Sequence, residues 1–264
     1  MKELNFHRAV SVEDALAKLK NTESGKYISG GQSLIPVLKL EMAAPSDLVS
    51  LAKIKELHGI RVEPGKVMIG ATTTHAEVAA SAEVKSAIPG LAALAEHIGD
   101  AQVRNRGTIG GSVAHADPAA DYPAALVALG ATVKTDRRAI SADDFFTGLF
   151  ETALEEGEIV TAVHFPVPER CAYAKFASHA SKYAICGVMV AKTSHGVRVA
   201  VTGAGSKVFR VEAMEKALDA KFAPESLDGI TVPADDLQGG DASPEYRAHL
   251  VTVMAKRAVA AALG

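Results

Sequence analysis

The chain has 264 residues, 48% hydrophobic and 22% charged, with 28 lysines and arginines against 31 acids for a formal net charge of −3. That length suits one large domain or two medium ones with a core needing no staples. The balanced, unclustered charge argues against nucleic acid or an anionic membrane surface as partner.

The first residues, MKELNFHRAV, lack a signal-peptide core, and no apolar run reaches the about 18 residues of a membrane span, so the expectation is a soluble, cytoplasmic protein. Residues 11–20, SVEDALAKLK, have the spacing of a short amphipathic helix, with Ser11 as N-cap and Asp14 at the acidic capping-box position. Residues 26–29, KYIS, read as a strand running into Gly30-Gly31. The segment LIPVLKLEM then reads as a short helix that tolerates Pro36 in its first turn.

Two further strands, DLVSL at 47–51 and KVMIG at 66–70, flank a loop that closes on Pro64-Gly65. Thr74 and Glu77 are spaced as a second capping box, and residues 83–99 are helical in period with a break at Pro89-Gly90. Pro123 is placed to start a helix that Gly130 closes. ATVKT at 131–135 and EIVTAVHFPVP at 158–168 read as strands around a polar segment. The texture then changes to three successive strands, AYAKFAS, AICGVMVAKT and GVRVAVTG, with a hairpin turn at His195-Gly196. Helices follow at 210–220 and 244–263, the second with Ser243 as cap and Pro244 at its first position. A boundary is expected between Pro166 and Arg170.

Two glycine pairs stand out, Ser29-Gly30-Gly31-Gln32-Ser33 and Thr108-Ile109-Gly110-Gly111-Ser112, each flanked by hydroxyls. Glycine permits positive φ, lets successive amides converge on an anion, and leaves room for it to approach. The first pair also precedes a helix, whose N-terminal amides favour a phosphate. Neither segment is a P-loop or a dinucleotide fingerprint. Plain tight turns remain the competing reading, and residue chemistry alone stops at an anionic small molecule, a dinucleotide among the candidates.

Asp121, just ahead of the helix at Pro123, reads as an N-cap, as an acceptor for a hydroxyl-bearing ligand, or as both. His115 and Asp117 form an H-x-D pair with no third ligand at helical or hairpin spacing, so a metal is not expected. His75 fits either a cap-region histidine or a cleft wall, and Lys175 and Tyr183 fit surface residues with apolar stems. Cys171 and Cys186 supply neither a disulfide framework nor the about four thiolates of an iron–sulfur cluster. No nucleophile triad and no general acid–base pair declares itself, so no catalytic residue is assigned.

Together, SGGQSLIPVLKL, GATTTH, QVRNRGTIGGSVAHADPAADYPAALVALGA, EIVTAVHFP, AYAKFA and EYRAHLVTVMAKRAV resemble, over nearly the whole chain, the FAD-binding medium subunit of molybdenum hydroxylases. This is the subunit type of aerobic carbon monoxide dehydrogenase and of bacterial xanthine, nicotine and caffeine dehydrogenases.

The resemblance implies an α+β fold. Residues 1–170 would form an FAD-binding unit of vanillyl-alcohol-oxidase (PCMH) type, with subdomains at about 1–56 and 57–170. Residues 171–264 would form a C-terminal domain with a three-stranded antiparallel sheet and helices. It implies that Tyr27, Ile28, Ser29, Gly30, Gly31, Gln32, Ser33 and Leu34 form one FAD segment and Thr108, Ile109, Gly110, Gly111 and Ser112 the other, clamping the pyrophosphate. Asp121 would bond the adenosine portion, Val160 and Lys175 would lie along the cofactor with Lys175 near the flavin, and Tyr183 would shield the isoalloxazine.

Implied partners are a large subunit with the molybdenum cofactor and a small subunit with two [2Fe–2S] clusters, assembled as a dimer of heterotrimers. The absence of cysteine clusters sets the chain apart from the similar hydroxybenzoyl-CoA reductase subunit. Ser29 departs from the pattern, standing where alanine or glycine is frequent. The alternatives are a stand-alone flavin oxidase or dehydrogenase of the same fold, with His75 or His179 as base, and a nucleotide-binding module without flavin chemistry.

Overall fold

The structure, a computed structural model, describes residues 3–264. The chain begins with β1 (Asn5–Arg8), α1 (Val12–Lys20), β2 (Gly25–Ile28), α2 (Leu34–Lys39) and β3 (Asp47–Ser50). The three strands form one parallel sheet in the order β1-β3-β2, with Asp47 opposite both Asn5 and Gly25. The Ser11 hydroxyl caps α1 by accepting from the Asp14 amide, as its spacing predicts, but the Asp14 carboxylate accepts from the Val10 amide, so the capping box is offset by one residue. The first strand and the pairing of all three carry no alternating signal in the sequence, because β1 has four residues and is exposed at all but His7.

The middle of the chain runs β4 (Ile60–Glu63), β5 (Lys66–Gly70), α3 (His75–Ala80), α4 (Ala82–Ala87), α5 (Pro89–Glu96), α6 (Ala101–Arg104), α7 (Ile109–His115), α8 (Tyr122–Ala128), β6 (Thr132–Thr135), β7 (Ala139–Ser141), α9 (Ala142–Phe145), β8 (Phe146–Gly148), β9 (Glu151–Thr152) and β10 (Val160–Pro166). An antiparallel five-stranded sheet takes the order β4-β5-β10-β6-β7, and β8 pairs with β9 in a separate hairpin. Thr74 and Glu77 make the full reciprocal capping box. Pro89 ends one helix and opens the next from its first turn.

The last part comprises β11 (Arg170–Ala177), β12 (Ala184–Thr193), β13 (Gly196–Thr202), β14 (Phe209–Arg210), α10 (Glu212–Ala220) and α11 (Pro244–Leu263). Its antiparallel sheet has four strands, not the three expected, because Phe209 and Arg210 pair with Val201 and Ala200. A two-residue edge strand leaves no periodic signal. The run AICGVMVA is apolar throughout because both faces of β12 are covered. Val188 and Val190 join the cluster under α10 and α11, whereas Met189 and Ala191 join the core of the middle region with Leu91, Ala125 and Leu126. The boundary between Pro166 and Arg170 is thus a change of sheet, while one apolar core runs across it.

Candidate functional site

A cleft of about 1190 Å³ opens between the end of β2, the start of α7 and the loop after β11. Residues Tyr27 to Leu34 all line it. At Gly31 the backbone turns left-handed, φ 75°, a conformation that favours glycine. The carbonyls of Gly31 and Ser33 accept from Ile35 and Val37 and so point into α2. The amides of Gly31, Gln32, Ser33 and Leu34 have no hydrogen-bond partner among the described residues, and the Ser33 side chain does not cap the helix. Four successive unpaired donors on a cleft wall are an anion cradle in form, and such groups require a partner from water or a ligand.

The second glycine segment is built differently and corrects the loop expectation. Gly110 and Gly111 lie in the first turn of α7, with Thr108 as N-cap accepting from the Gly111 amide. The amides here are already committed: Ile109 donates to Thr73, Gly110 to Ala71 at 2.9 Å, and Ser112 to Thr108. A Cβ on Gly110 would stand 2.7 Å from the Ala71 carbonyl oxygen, and one on Gly30 would stand 2.1 Å from that of Arg106. These two glycines serve backbone-to-backbone approach within the protein. Gly111 is different, since an added Cβ would meet only its own cap hydroxyl, Thr108 Oγ1 at 2.9 Å, and otherwise enter the cleft. Thr108, Gly110 and Ser112 also line the cleft, whereas Ile109 is fully buried core. The two segments are tied together where Thr108 Oγ1 donates to Ser29 Oγ at 3.0 Å.

Asp121 lines the cleft but does not cap α8: its backbone is already helical and its side chain makes no cap bond. Its carboxylate is instead held from behind. The Tyr173 hydroxyl donates to Oδ1 at 2.6 Å and the Lys175 ammonium stands 2.9 Å away, also donating to the His97 carbonyl at 3.1 Å. Burial pushes the Asp121 carboxyl up, against the opposing pull of Lys175 and Tyr173. Lys175 is itself buried and does not line the cleft, so it backs the wall rather than forming it. Asp121 and Lys175 touch, so they lie in one neighbourhood, whereas the resemblance places them toward different parts of FAD. Tyr183 lies near both Asp121 and Ser33 and also lines the cleft. Val160 also lines the cleft, as do Tyr27 and Gly157, which are joined where the Tyr27 hydroxyl donates to the Gly157 carbonyl. Burial pushes the Tyr27 phenol up to about 12.

Tyr173 was not singled out from sequence. Its signal was the two-residue spacing to Lys175, which puts both side chains on one face of a strand. Beside Val160, Glu158 is clasped by Arg138 at 3.0 and 3.1 Å and by the Thr135 hydroxyl at 2.7 Å. The hydrogen-bonded Arg138 guanidinium holds the Glu158 carboxyl down at about 2.

His75 opens α3 and is buried. Its amide donates to the Gly107 carbonyl and its ring centroid lies 5.4 Å from that of Tyr122. Burial, aided by Arg104, lowers its pKa to about 4, so near neutrality it is an uncharged ring that packs beside Tyr122 and also lines the cleft. His179, the other nominated base, is exposed. Asp117 caps a local turn by accepting from the Ala119 amide, and the His115 ring lies 5.2 Å from that of Phe150. The segment between α7 and α8 is docked on the last sheet: the Thr202 hydroxyl shares its one proton between the Pro118 and Ala120 carbonyls, and the Gly203 amide donates to Pro118.

Among the described residues, no helix is long and apolar enough to cross a membrane. Residues 2–168 match the sequence model of a family described as the FAD binding domain in molybdopterin dehydrogenase. The carbon monoxide dehydrogenase medium chain of Hydrogenophaga pseudoflava is 36% identical over 97% of this chain and 96% of its own length. The nicotine 6-hydroxylase medium subunit of Paenarthrobacter nicotinovorans is 34% identical over 97% and 96%. A solved structure of reconstituted CO dehydrogenase from Oligotropha carboxidovorans superposes with a TM-score of 0.90 at 33% identity, covering 99% of this chain and 98% of that one.

Proposed function

The chain belongs to the family of FAD-binding domains in molybdopterin dehydrogenases, and from that premise we propose that it is the FAD-binding, electron-transferring medium subunit of a molybdenum hydroxylase complex. The observation that carries the reading is the run of four unpaired amides from Gly31 to Leu34, facing a cleft with room for a dinucleotide. These donors fit a pyrophosphate, and the hydroxyls of Ser29 and Ser112 extend the set. The second segment would contribute Ser112 and the bare face of Gly111 rather than amides, because its amides are bonded internally.

Bound FAD would supply the redox chemistry, taking electrons from the [2Fe–2S] clusters of a small subunit after hydroxylation at a molybdenum centre on a large subunit and passing them to an external acceptor. This chain's own part is to bind, orient and shield. Asp121 and Tyr183 would flank the flavin, while Tyr27, Gly157 and Val160 would bound the adenine end. Lys175 would act from behind Asp121. The PCMH-type layout, with subdomains at about 1–56 and 57–170 and a C-terminal domain at 171–264, is part of the proposal, supported by the separate sheets of residues 5–50 and 60–166. So are a dimer of heterotrimers and a cytoplasmic location. A stand-alone oxidase is disfavoured by the likeness over nearly the whole chain to medium subunits of multi-subunit enzymes, and His75, one base nominated for it, is buried and low in pKa.

The test is a visible spectrum with metal analysis of the complex isolated from its native source. A flavin spectrum together with molybdenum and iron in the same fraction is expected. A colourless protein that cannot be reconstituted with FAD refutes the reading. A yellow chain running alone without either metal moves it to the stand-alone class.

A further inference from the structure

The Asp121 carboxylate has no task on its own helix. It neither caps α8 nor bonds a backbone amide, yet it is buried and held by two side chains from β11. A buried ion pair rarely adds stability over an apolar pair of similar volume, because desolvation offsets the attraction. Stability alone therefore does not account for the pair, which points to a task for the carboxylate itself.

The surroundings are shaped to hold it. Tyr173 and Lys175 project from one face of β11, and Gly187 lies opposite Lys175 on β12. The Tyr173 hydroxyl lies over Gly187, where an added Cβ would stand 2.1 Å from it. The path from Tyr173 to Asp121 thus depends on a residue without a side chain. Lys175 spends its remaining bonding on the His97 carbonyl, next to Ile98 and Gly99 of the cleft wall. A carboxylate has about four acceptor positions. Tyr173 and Lys175 occupy two from behind, and others are left for an N–H or O–H donor in the cleft.

We propose that Tyr173 and Lys175 are positioning residues that hold Asp121 as a fixed acceptor for the flavin end of the cofactor. The C-terminal sheet would then tune the flavin without touching it. This inference rests on the FAD reading of the cleft. Lys175 opposes the upward push of burial on the carboxyl, and Tyr173 fixes its plane and withdraws electron density from Oδ1. Without the Tyr173 hydroxyl, Asp121 becomes a more basic neighbour and disfavours the electron-rich reduced flavin.

The experiment uses the full chain reconstituted with FAD, measuring the dissociation constant by flavin fluorescence, the midpoint potential by dye equilibration, and the melting temperature. Tyr173→Phe is expected to keep FAD affinity within about threefold while favouring oxidised flavin by about tenfold, which for a two-electron couple lowers the potential by about 30 mV. Lys175→Gln is expected to weaken FAD binding at least tenfold. The double variant Lys175→Gln with Asp121→Asn should bind no more weakly than Asp121→Asn alone, since residues acting through one another are not additive.

An unchanged potential in Tyr173→Phe overturns the proposal. So do additive losses in the double variant, which would put Lys175 on the cofactor directly. Loss of FAD from Tyr173→Phe only in step with a lowered melting temperature makes Tyr173 a packing residue, again against the proposal. A wild-type chain that takes up no FAD removes the function reading and this inference together.

Discussion

Gly110 and Gly111 are adjacent in sequence, yet opposite responses are expected when each is replaced. At Gly110 an alanine Cβ would sit 2.5 Å from Ala71 Cβ and 2.7 Å from the Ala71 carbonyl oxygen, which accepts the Gly110 amide. Such overlap against backbone costs about 2–3 kcal/mol, and loss of the hydrogen bond about 1 more. The gain in helix propensity, about 1 kcal/mol, offsets only part. The net loss of about 2–3 kcal/mol should lower the melting temperature by roughly 4–10 °C in a chain of this size. At Gly111 the only close atom is Thr108 Oγ1, so Gly111→Val disturbs one helix cap, worth about 1 kcal/mol, and regains a few tenths from propensity. Its melting temperature should stay within roughly 4 °C of the parent. Its isopropyl group enters the cleft beside the amide cradle, and FAD retention should be lost. The assay is differential scanning fluorimetry of the apoprotein alongside flavin content after desalting. A folded Gly111→Val chain with full flavin, or a Gly110→Ala chain as stable as the parent, would refute the division of labour between the two glycines.

Acid sensitivity should come in two windows. The His75 pKa in the folded chain, about 4, lies below its ordinary 6.5, so the unfolded chain takes up a proton first as pH falls. The stability that neutral His75 supports is complete above pH 6.5 and falls by about 3 kcal/mol on the way down to pH 4. His75→Phe should flatten that segment of a urea-unfolding series measured against pH, and an unchanged slope would contradict the burial argument. Glu158, held at about 2 against an ordinary 4.5, contributes above pH 4.5 and loses its contribution as pH falls towards 2. Glu158→Gln should therefore cost about 2–3 kcal/mol at neutral pH and little near pH 2, allowing for the partial exposure of Arg138. A constant deficit across that range would point to packing in place of charge.

By itself the sequence determined the local punctuation. Ser11, Thr74, Ser243, Pro89 and Pro123 mark helix starts because caps and first-turn prolines act within a few residues of themselves. The ordered motifs from Ser29 and from Gln102 also carried the family. Only the tertiary structure decided what the marked residues do. Both glycine pairs look alike as strings, but one leaves its amides unpaired in a cleft and the other commits them to Thr73, Ala71 and Thr108. Asp121 has the position of a helix cap, yet β11, more than fifty residues away, supplies Tyr173 and Lys175 to claim its carboxylate. The edge strand β14 and the Gly187 opening for the Tyr173 hydroxyl likewise exist only through long-range contacts. A local pattern fixes what a residue can donate or accept, while the partner that takes up that capacity is set by packing between segments distant in sequence.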